Sequence, residues 1–143
     1  MLNAKKKADN LVHLARRFHT KERKLIAVKY YFEVLKYSLS ENFVKVAETK
    51  EIAPSSMKGV EVEGEKVCII NTEGNYYAIG NICTHVGGPL DEGTLQGYEV
   101  ECPWHGSKFD VRTGEPTKPP AVRAVPKYEV KMDGNNVLVR KQK

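Results

Sequence analysis

The pattern of apolar and polar positions changes near residue 41 of this 143-residue chain. Before that point apolar residues recur at helical spacing, and no glycine or proline precedes Pro54, so nothing local prevents a long helix. The pattern predicts an amphipathic helix or helix pair over residues 1–40. One heptad register holds Lys21 as its single polar member and, as apolar members, Leu11, Leu14, Phe18, Leu25, Val28, Phe32, Leu35 and Leu39.

Residues 41–143 have a different texture, in which short β-type segments alternate with turn residues. Hairpin turns are predicted at Glu63-Gly64-Glu65, Glu73-Gly74-Asn75 and Asp133-Gly134-Asn135. Many short strands at close spacing are typical of antiparallel sheets in a sandwich or barrel, so the fold class is mainly β. We predict strands at residues 43–47, 60–62, 67–71, 76–79, 98–101, 128–131 and 137–140.

The composition predicts a soluble protein of the cytoplasm. Hydrophobic residues make up 41% of the chain, which is ordinary for a globular domain with a core. The sequence contains no run of eighteen apolar residues, so no transmembrane helix is predicted, and no secretory signal is evident. Of the three cysteines, Cys68 lies in an apolar run that predicts a buried strand, so we expect it to be a core residue.

Charge separates the same two segments. Residues 1–40 carry ten lysines and arginines against three acidic residues, a net charge of +7, whereas residues 41–143 carry a net charge of −2. The helical face is wider than a coiled-coil seam, which favours packing on a globular body or in a helical hairpin. Docking to an acidic redox partner, self-association and binding to an anionic membrane surface are weaker alternatives. No nucleic-acid binding is expected, since no recognised reading motif accompanies the lysines.

Two short motifs carry the candidate chemistry. Cys83-Thr84-His85 is followed, after sixteen intervening residues, by Cys102-Pro103-Trp104-His105. Two thiolates and two imidazoles suit either zinc or an iron–sulfur cluster. A single residue between the first cysteine and histidine is a poor fit to ordinary zinc sites, which usually place two or more residues between paired ligands. His13 and His19 lie in the basic segment and are expected to be solvated helix residues.

These motifs resemble the Rieske family, together with Gly87, Gly88, Pro89 and Leu90 after the first arm and Gly106 after the second. The resemblance runs from near Phe43 to the C-terminus. It implies a β-sandwich with a small cluster-binding subdomain and one [2Fe–2S] cluster per chain, with two cysteines on one iron and two histidines on the other. The implied metal ligands are Cys83, His85, Cys102 and His105.

The resemblance also implies roles for neighbouring residues. Respiratory Rieske proteins carry a further cysteine in each arm, at the positions of Gly88 and Trp104, so this chain resembles the disulfide-free ferredoxin branch. Ser107 matches a serine that donates a hydrogen bond to a cluster sulfur, while Phe109 replaces a tyrosine with a similar role. The implied surroundings of the cluster comprise Gly87, Gly88, Pro89, Trp104, Gly106, Ser107, Pro119 and Pro120.

The implied function is that of a one-electron carrier. A cluster held by four protein ligands has no open position for a substrate, so we expect an electron-transfer protein that is not an enzyme and binds no small-molecule substrate. The expected partners are a reductase that donates electrons and an oxygenase or other acceptor. One alternative is a small electron-transfer subunit of a multi-subunit reductase, as in nitrite reductase. The other is a zinc-stabilised interaction module.

Overall fold

The computed structural model describes residues 25, 26, 28–33, 35 and 42–142. The chain divides into two compact units, Met1–Asn42 and Phe43–Lys143. In the first unit, residues 25, 26, 28–33 and 35 are helical, and the rest of the predicted helical extension lies outside the described residues. Exposed apolar side chains of this helix are Leu25, Ile26, Val28, Tyr30 and Phe32. Among the described residues, no helix is long and apolar enough to span a membrane.

The second unit contains two antiparallel sheets. The strands are β1 (Val44–Glu48), β2 (Ser56–Val62), β3 (Glu65–Thr72), β4 (Asn75–Gly80), β5 (Thr94–Gln96), β6 (Glu99–Glu101), β7 (Lys108–Asp110), β8 (Pro116–Lys118), β9 (Lys127–Asp133) and β10 (Asn136–Lys141). One sheet has six strands in the order β1-β10-β9-β4-β3-β2, and the other has four in the order β5-β6-β7-β8. All seven predicted strands overlap an observed one.

The predicted hairpin turns join the strands of the larger sheet. Glu63 and Gly64 have φ angles of 51° and 82°, and Glu73 and Gly74 have φ angles of 51° and 75°. Two successive residues with positive φ match the right-handed twist of the paired strands, which is why a two-residue hairpin favours glycine there. Strands β2 and β3, and then β3 and β4, therefore pair in register directly from these turns.

Three strands were not predicted. β5, β7 and β8 have three residues each, and their sequences lack the apolar alternation that identifies a strand. Two strands, β5 and β6, therefore lie between the two arms, where the sequence predicted one. The proline-rich segment is also only partly a loop, because Pro116–Lys118 pairs with β7.

Strand β3 is buried on both of its faces. Val67 and Ile69 belong to one apolar cluster with β10, whereas Cys68 and Ile70 belong to a second cluster that includes both Cys83 and Cys102. This explains why the strand reads as a continuous apolar run. Cys68 has no exposed surface, as predicted, and burial raises the pKa of its thiol. The two arms, which begin at Cys83 and Cys102, pack on this second cluster.

Candidate metal centre

The first arm is a tight loop that follows β4. The backbone N–H of Cys83 donates to the carbonyl of Gly88 at 2.9 Å, and the N–H of Gly87 donates to the carbonyl of Cys83 at 2.9 Å. Gly87 has a φ of 86°, in the left-handed region that favours glycine. Pro89 pairs with Ile82 in an isolated bridge and so closes the base of the loop.

The second arm repeats this local geometry. The N–H of Cys102 donates to the carbonyl of Ser107 at 2.8 Å, and the N–H of Gly106 donates to the carbonyl of Cys102 at 3.1 Å. Gly106 has a φ of 72° and so takes the place that Gly87 has in the first arm. Each cysteine therefore begins a loop with the same pair of backbone hydrogen bonds, at the same sequence separations.

The arms place sulfur inside and nitrogen outside. Cys83 and Cys102 are each only 2% exposed, whereas His85 and His105 lie at the surface. The two imidazole rings are perpendicular, with their centroids 4.9 Å apart. The fold thus places the two predicted sulfur ligands beside each other in the interior and the two predicted nitrogen ligands beside each other at the surface.

The surroundings of Cys83 favour a buried sulfur with donors close by. Burial raises the pKa of the Cys83 thiol, and the neighbouring Cys102 thiol raises it further, whereas hydrogen bonds from the His85 backbone and from Ser107 lower it. Two adjacent buried thiols repel each other once ionised, unless a cation lies between them. The sulfur pair is therefore suited to a metal centre.

Gly88 leaves no room for a side chain. A Cβ at this position would lie 2.7 Å from the sulfur of Cys102 and 3.2 Å from the ring of Trp104. The Trp104 ring packs against this backbone, yet 57% of the residue remains exposed. Trp104 thus both covers part of the first arm and contributes to the outer surface.

Ser107 is fully buried beneath the second arm. Its hydroxyl oxygen accepts a hydrogen bond of 3.0 Å from the backbone N–H of Ala121. The hydroxyl proton remains available to the sulfur of Cys83. Phe109 is also fully buried but has no polar group to offer.

The chain beyond the proline-rich segment is tied to both arms. Ala121 is bound to Ser107 of the second arm, and the Thr84 hydroxyl of the first arm donates to the Arg123 carbonyl at 2.6 Å. We call residues 121–123 the strap, and we call the surface formed by the two arms and the strap the crown. The sequence did not predict the contact of Thr84. Pro119 and Pro120 are exposed, with a cis peptide bond between them, and lead into the strap.

The donor set fits a two-iron cluster better than a single ion. A tetrahedral zinc site needs four converging ligands, whereas a [2Fe–2S] cluster takes one pair on each iron. The cysteines form a sulfur pair and the histidines form a nitrogen pair, which is the arrangement that a [2Fe–2S] cluster requires.

A mainly β domain with two loops, each of which carries one cysteine and one histidine, is typical of iron–sulfur electron carriers. Residues 42–129 match the Rieske [2Fe-2S] domain family, and the chain belongs to that family. The ferredoxin component of the naphthalene 1,2-dioxygenase system of Pseudomonas aeruginosa is 35% identical over 101 residues, which cover 71% of this chain and 97% of that protein.

Solved structures agree with this membership. The ferredoxin of carbazole 1,9a-dioxygenase from Nocardioides aromaticivorans IC177 is 37% identical, with a TM-score of 0.68, over 71% of this chain and 99% of the other. A second match comes from the structure of the complex of reduced oxygenase and oxidized ferredoxin in carbazole 1,9a-dioxygenase. The matched chain is 30% identical, with a TM-score of 0.68, over 71% of this chain and 97% of the other.

The cofactor and the class of activity follow from this membership. The protein binds one [2Fe–2S] cluster per chain and carries electrons, and it is not itself an enzyme. The prediction of a mainly β Rieske fold is confirmed. The alternative of a zinc-stabilised module is wrong, because the family carries a cluster of iron and sulfide.

Proposed function

We propose that Cys83 and Cys102 bind one iron of the cluster and that His85 and His105 bind the other. The paired arms carry this assignment, since they bury both sulfurs and leave both imidazoles at the surface. When bound, the cluster supplies one-electron storage without an open coordination position. The exposed imidazoles would then connect that store to the solvent side of the crown.

The close surroundings have separate structural roles in this proposal. Gly87 and Gly106 form the turns, and Gly88 allows the arms to approach each other. Pro89 closes the first arm, while Trp104 and the strap limit the access of water to the cysteines. Ser107 offers a hydrogen bond to sulfur, and Pro119 and Pro120 position the strap.

We further propose that the protein takes electrons from a reductase and passes them to an oxygenase. Support comes from its similarity to ferredoxin components of dioxygenase systems and to a ferredoxin solved in a complex with its oxygenase. The alternative of a subunit in a multi-subunit reductase differs in one observable respect, because such a subunit purifies with its partner. A cytoplasmic location stays a prediction, to be checked by cell fractionation.

The role of the N-terminal extension is also a proposal. We infer that residues 1–40 form a segment separate from the Rieske domain at 41–143 and serve in docking or self-association. Its net charge of +7 and the exposed apolar residues between Leu25 and Phe32 support this role, because both features favour contact with another surface.

Spectroscopy on ligand variants tests the ligand assignment. Pulsed electron paramagnetic resonance of the reduced protein should show nitrogen couplings from two imidazoles, and chemical analysis should find equal amounts of iron and labile sulfide. His85→Ala and His105→Ala should each lose the cluster or one coupling, whereas His13→Ala, a histidine of the extension, should match the parent. A His85→Ala variant that keeps both couplings contradicts the assignment.

A further inference from the structure

The two arms are closed at their bases in different ways. The second arm joins β6 to β7, which are paired strands, with Glu101 opposite Lys108. The first arm follows β4 but leads into the short 3₁₀ helix Leu90–Glu92, so its two ends do not continue as a pair of strands. The strand-like contact at this base is the isolated bridge between Ile82 and Pro89. The first arm should therefore depend more than the second on side-chain contacts at its base.

Asn81 and Asp91, one on each side of this bridge, supply such contacts. The side-chain amide of Asn81 donates to the carboxylate of Asp91 at 2.6 Å, and its side-chain oxygen accepts from the backbone N–H of Asp91 at 2.8 Å. The backbone carbonyl of Asn81 also accepts from the N–H of Leu90 at 2.9 Å. Asn81 is only 6% exposed, so water has little access to these bonds. We call the paired side chains of Asn81 and Asp91 the clasp.

The clasp is itself fixed to the larger sheet from two directions. The backbone N–H of Asn81 donates to the carbonyl of Lys66 on β3 at 2.9 Å. The second carboxylate oxygen of Asp91 lies against Gly59 on the edge strand β2, where a Cβ would overlap that oxygen. Glycine at residue 59 thus leaves the space that the carboxylate occupies. The clasp therefore joins the base of the first arm to two strands of the sheet.

We propose that Asn81 and Asp91 are positioning residues that hold Cys83 and His85 at the separation from the second arm that the cluster requires. This inference rests on the proposed ligand assignment, in which each arm supplies one ligand to each iron. Movement of the first arm would then strain a bond to both irons at once. Two hydrogen bonds at the base of the arm, one of them to a carboxylate, oppose that movement without contact with the cluster.

The rate at which an iron chelator removes the cluster from the oxidised holoprotein tests this role. Asp91→Ala removes the acceptor of the Asn81 amide and should make release about tenfold faster, because a hydrogen bond to a charged group is lost. Asp91→Asn keeps an acceptor at the same position without the charge. Its release rate should stay within about threefold of the parental rate, since the geometry of the clasp is preserved.

An exchange of the two side chains separates their pairing from the identity of either residue. Asn81→Asp alone brings two carboxylates together and should make release at least about tenfold faster. When it is combined with Asp91→Asn, one amide again faces one carboxylate, and release should return to within about threefold of the parental rate. Recovery in the double variant requires that the two side chains meet.

The electron paramagnetic resonance of the reduced cluster provides a second measurement. Asp91→Ala should broaden its lines about twofold, because a loosely held arm gives a spread of iron geometries. Tyr128→Phe is the matched control, since it removes one hydrogen bond of a part-buried side chain in the apolar cluster that contains neither Cys83 nor Cys102. This control should unfold more easily but keep the parental release rate and line width.

The outcomes distinguish this inference from the ligand assignment. Equal release rates in Asp91→Ala and Tyr128→Phe, with parental line widths in both, reduce the clasp to an ordinary structural contact and overturn the inference. Failure of the double variant to recover relative to Asn81→Asp also overturns it. If Asp91→Ala carries no cluster, the iron contents of Asn81→Asp with and without Asp91→Asn decide. Absence of the two imidazole couplings in the parent would overturn the ligand assignment instead.

Discussion

The hydroxyl of Ser107 can both accept and donate a hydrogen bond, and the protein itself uses the accepting side. The N–H of Ala121 occupies that side at 3.0 Å, so the hydrogen can turn towards the sulfur pair. A hydrogen bond to sulfur favours the reduced state, which carries more negative charge, and so raises the reduction potential. We therefore expect Ser107 to link the position of the strap to the reduction potential of the cluster.

Replacement of this serine should change two measurable properties. We expect Ser107→Ala to lower the reduction potential by about 60 mV, which corresponds to about 1.4 kcal/mol for one electron. We also expect a loss of stability of about 1–3 kcal/mol, because the buried N–H of Ala121 loses its acceptor. Redox titration and chemical unfolding measure the two effects.

Thr113→Ala is the matched control for Ser107→Ala. The Thr113 hydroxyl accepts a hydrogen bond from the exposed backbone of Glu115 and takes no part in either arm. This variant should keep the parental potential. If Ser107→Ala titrates at the parental potential too, the serine is not a donor to sulfur.

Gly88→Ala should prevent normal assembly of the metal centre. The added Cβ would lie 2.7 Å from the Cys102 sulfur, which forces the arms apart. We expect a large fall in iron and sulfide per chain, measured by chemical analysis and by visible absorption. Gly134→Ala is the control, since it introduces positive-φ strain in a hairpin where no atom lies within 4 Å, and it should keep a full complement of iron. A full iron content in Gly88→Ala would show that the arms can separate without loss.

The sequence predicted the candidate ligands but not the strap that joins their loops. The positions of Cys83 and His85 follow from local spacing, which the sequence states directly. The hydrogen bond from Thr84 to Arg123 joins residues 39 positions apart, and it forms only after the sheets have brought the two segments together.

At the scale of elements, strands with a clear apolar pattern, either continuous or alternating, were predictable from the sequence, and short charged strands were not. β3 and β10 carry a clear pattern because their apolar side chains enter the cores. β7 has a single buried residue, Phe109, between two partly exposed charged residues, and is recognisable only through its pairing with β6. The small sheet is thus specified by tertiary contacts more than by local preference.

One polar contact joins three strands of the larger sheet. The Tyr128 hydroxyl on β9 donates to the carboxylate of Glu65 on β3, and the ammonium of Lys141 on β10 binds the same carboxylate. Burial raises the pKa of Tyr128, and the hydrogen bond and charge of Glu65 raise it further. Hydrogen bonds from Lys141 and Tyr128 lower the pKa of Glu65.

This contact predicts how stability depends on pH at the alkaline side. Above about pH 10 the unfolded chain releases the phenolic proton while the folded protein holds it, so the free energy of unfolding falls as pH rises. Tyr128→Phe should be less stable than the parent at neutral pH but should show a shallower alkaline fall. Urea unfolding between about pH 7 and about pH 11 measures both. Parallel pH profiles for the two proteins would contradict this role.

At the scale of the whole molecule, the two units allow a separation of electron storage from docking. We expect a protein comprising residues 43–143 to keep its cluster and its potential, because both arms and both apolar clusters lie within it. It should lose partners or self-association that depend on the basic extension. Redox titration, sedimentation and recovery of bound proteins, compared with the full chain, measure these properties. Retention of every partner by the shorter protein would exclude a docking role for the extension.

The pairing of β1 with β10 places the beginning and the end of the Rieske domain side by side. Val44 lies opposite Val139, and the apolar cluster beneath these strands contains neither Cys83 nor Cys102. A short linker could therefore join residue 142 to residue 43, with new ends opened at the exposed hairpin of Glu63 and Gly64, and still leave the crown intact. The domain is thus a natural candidate for circular permutation, and for insertion into another protein as a removable redox module.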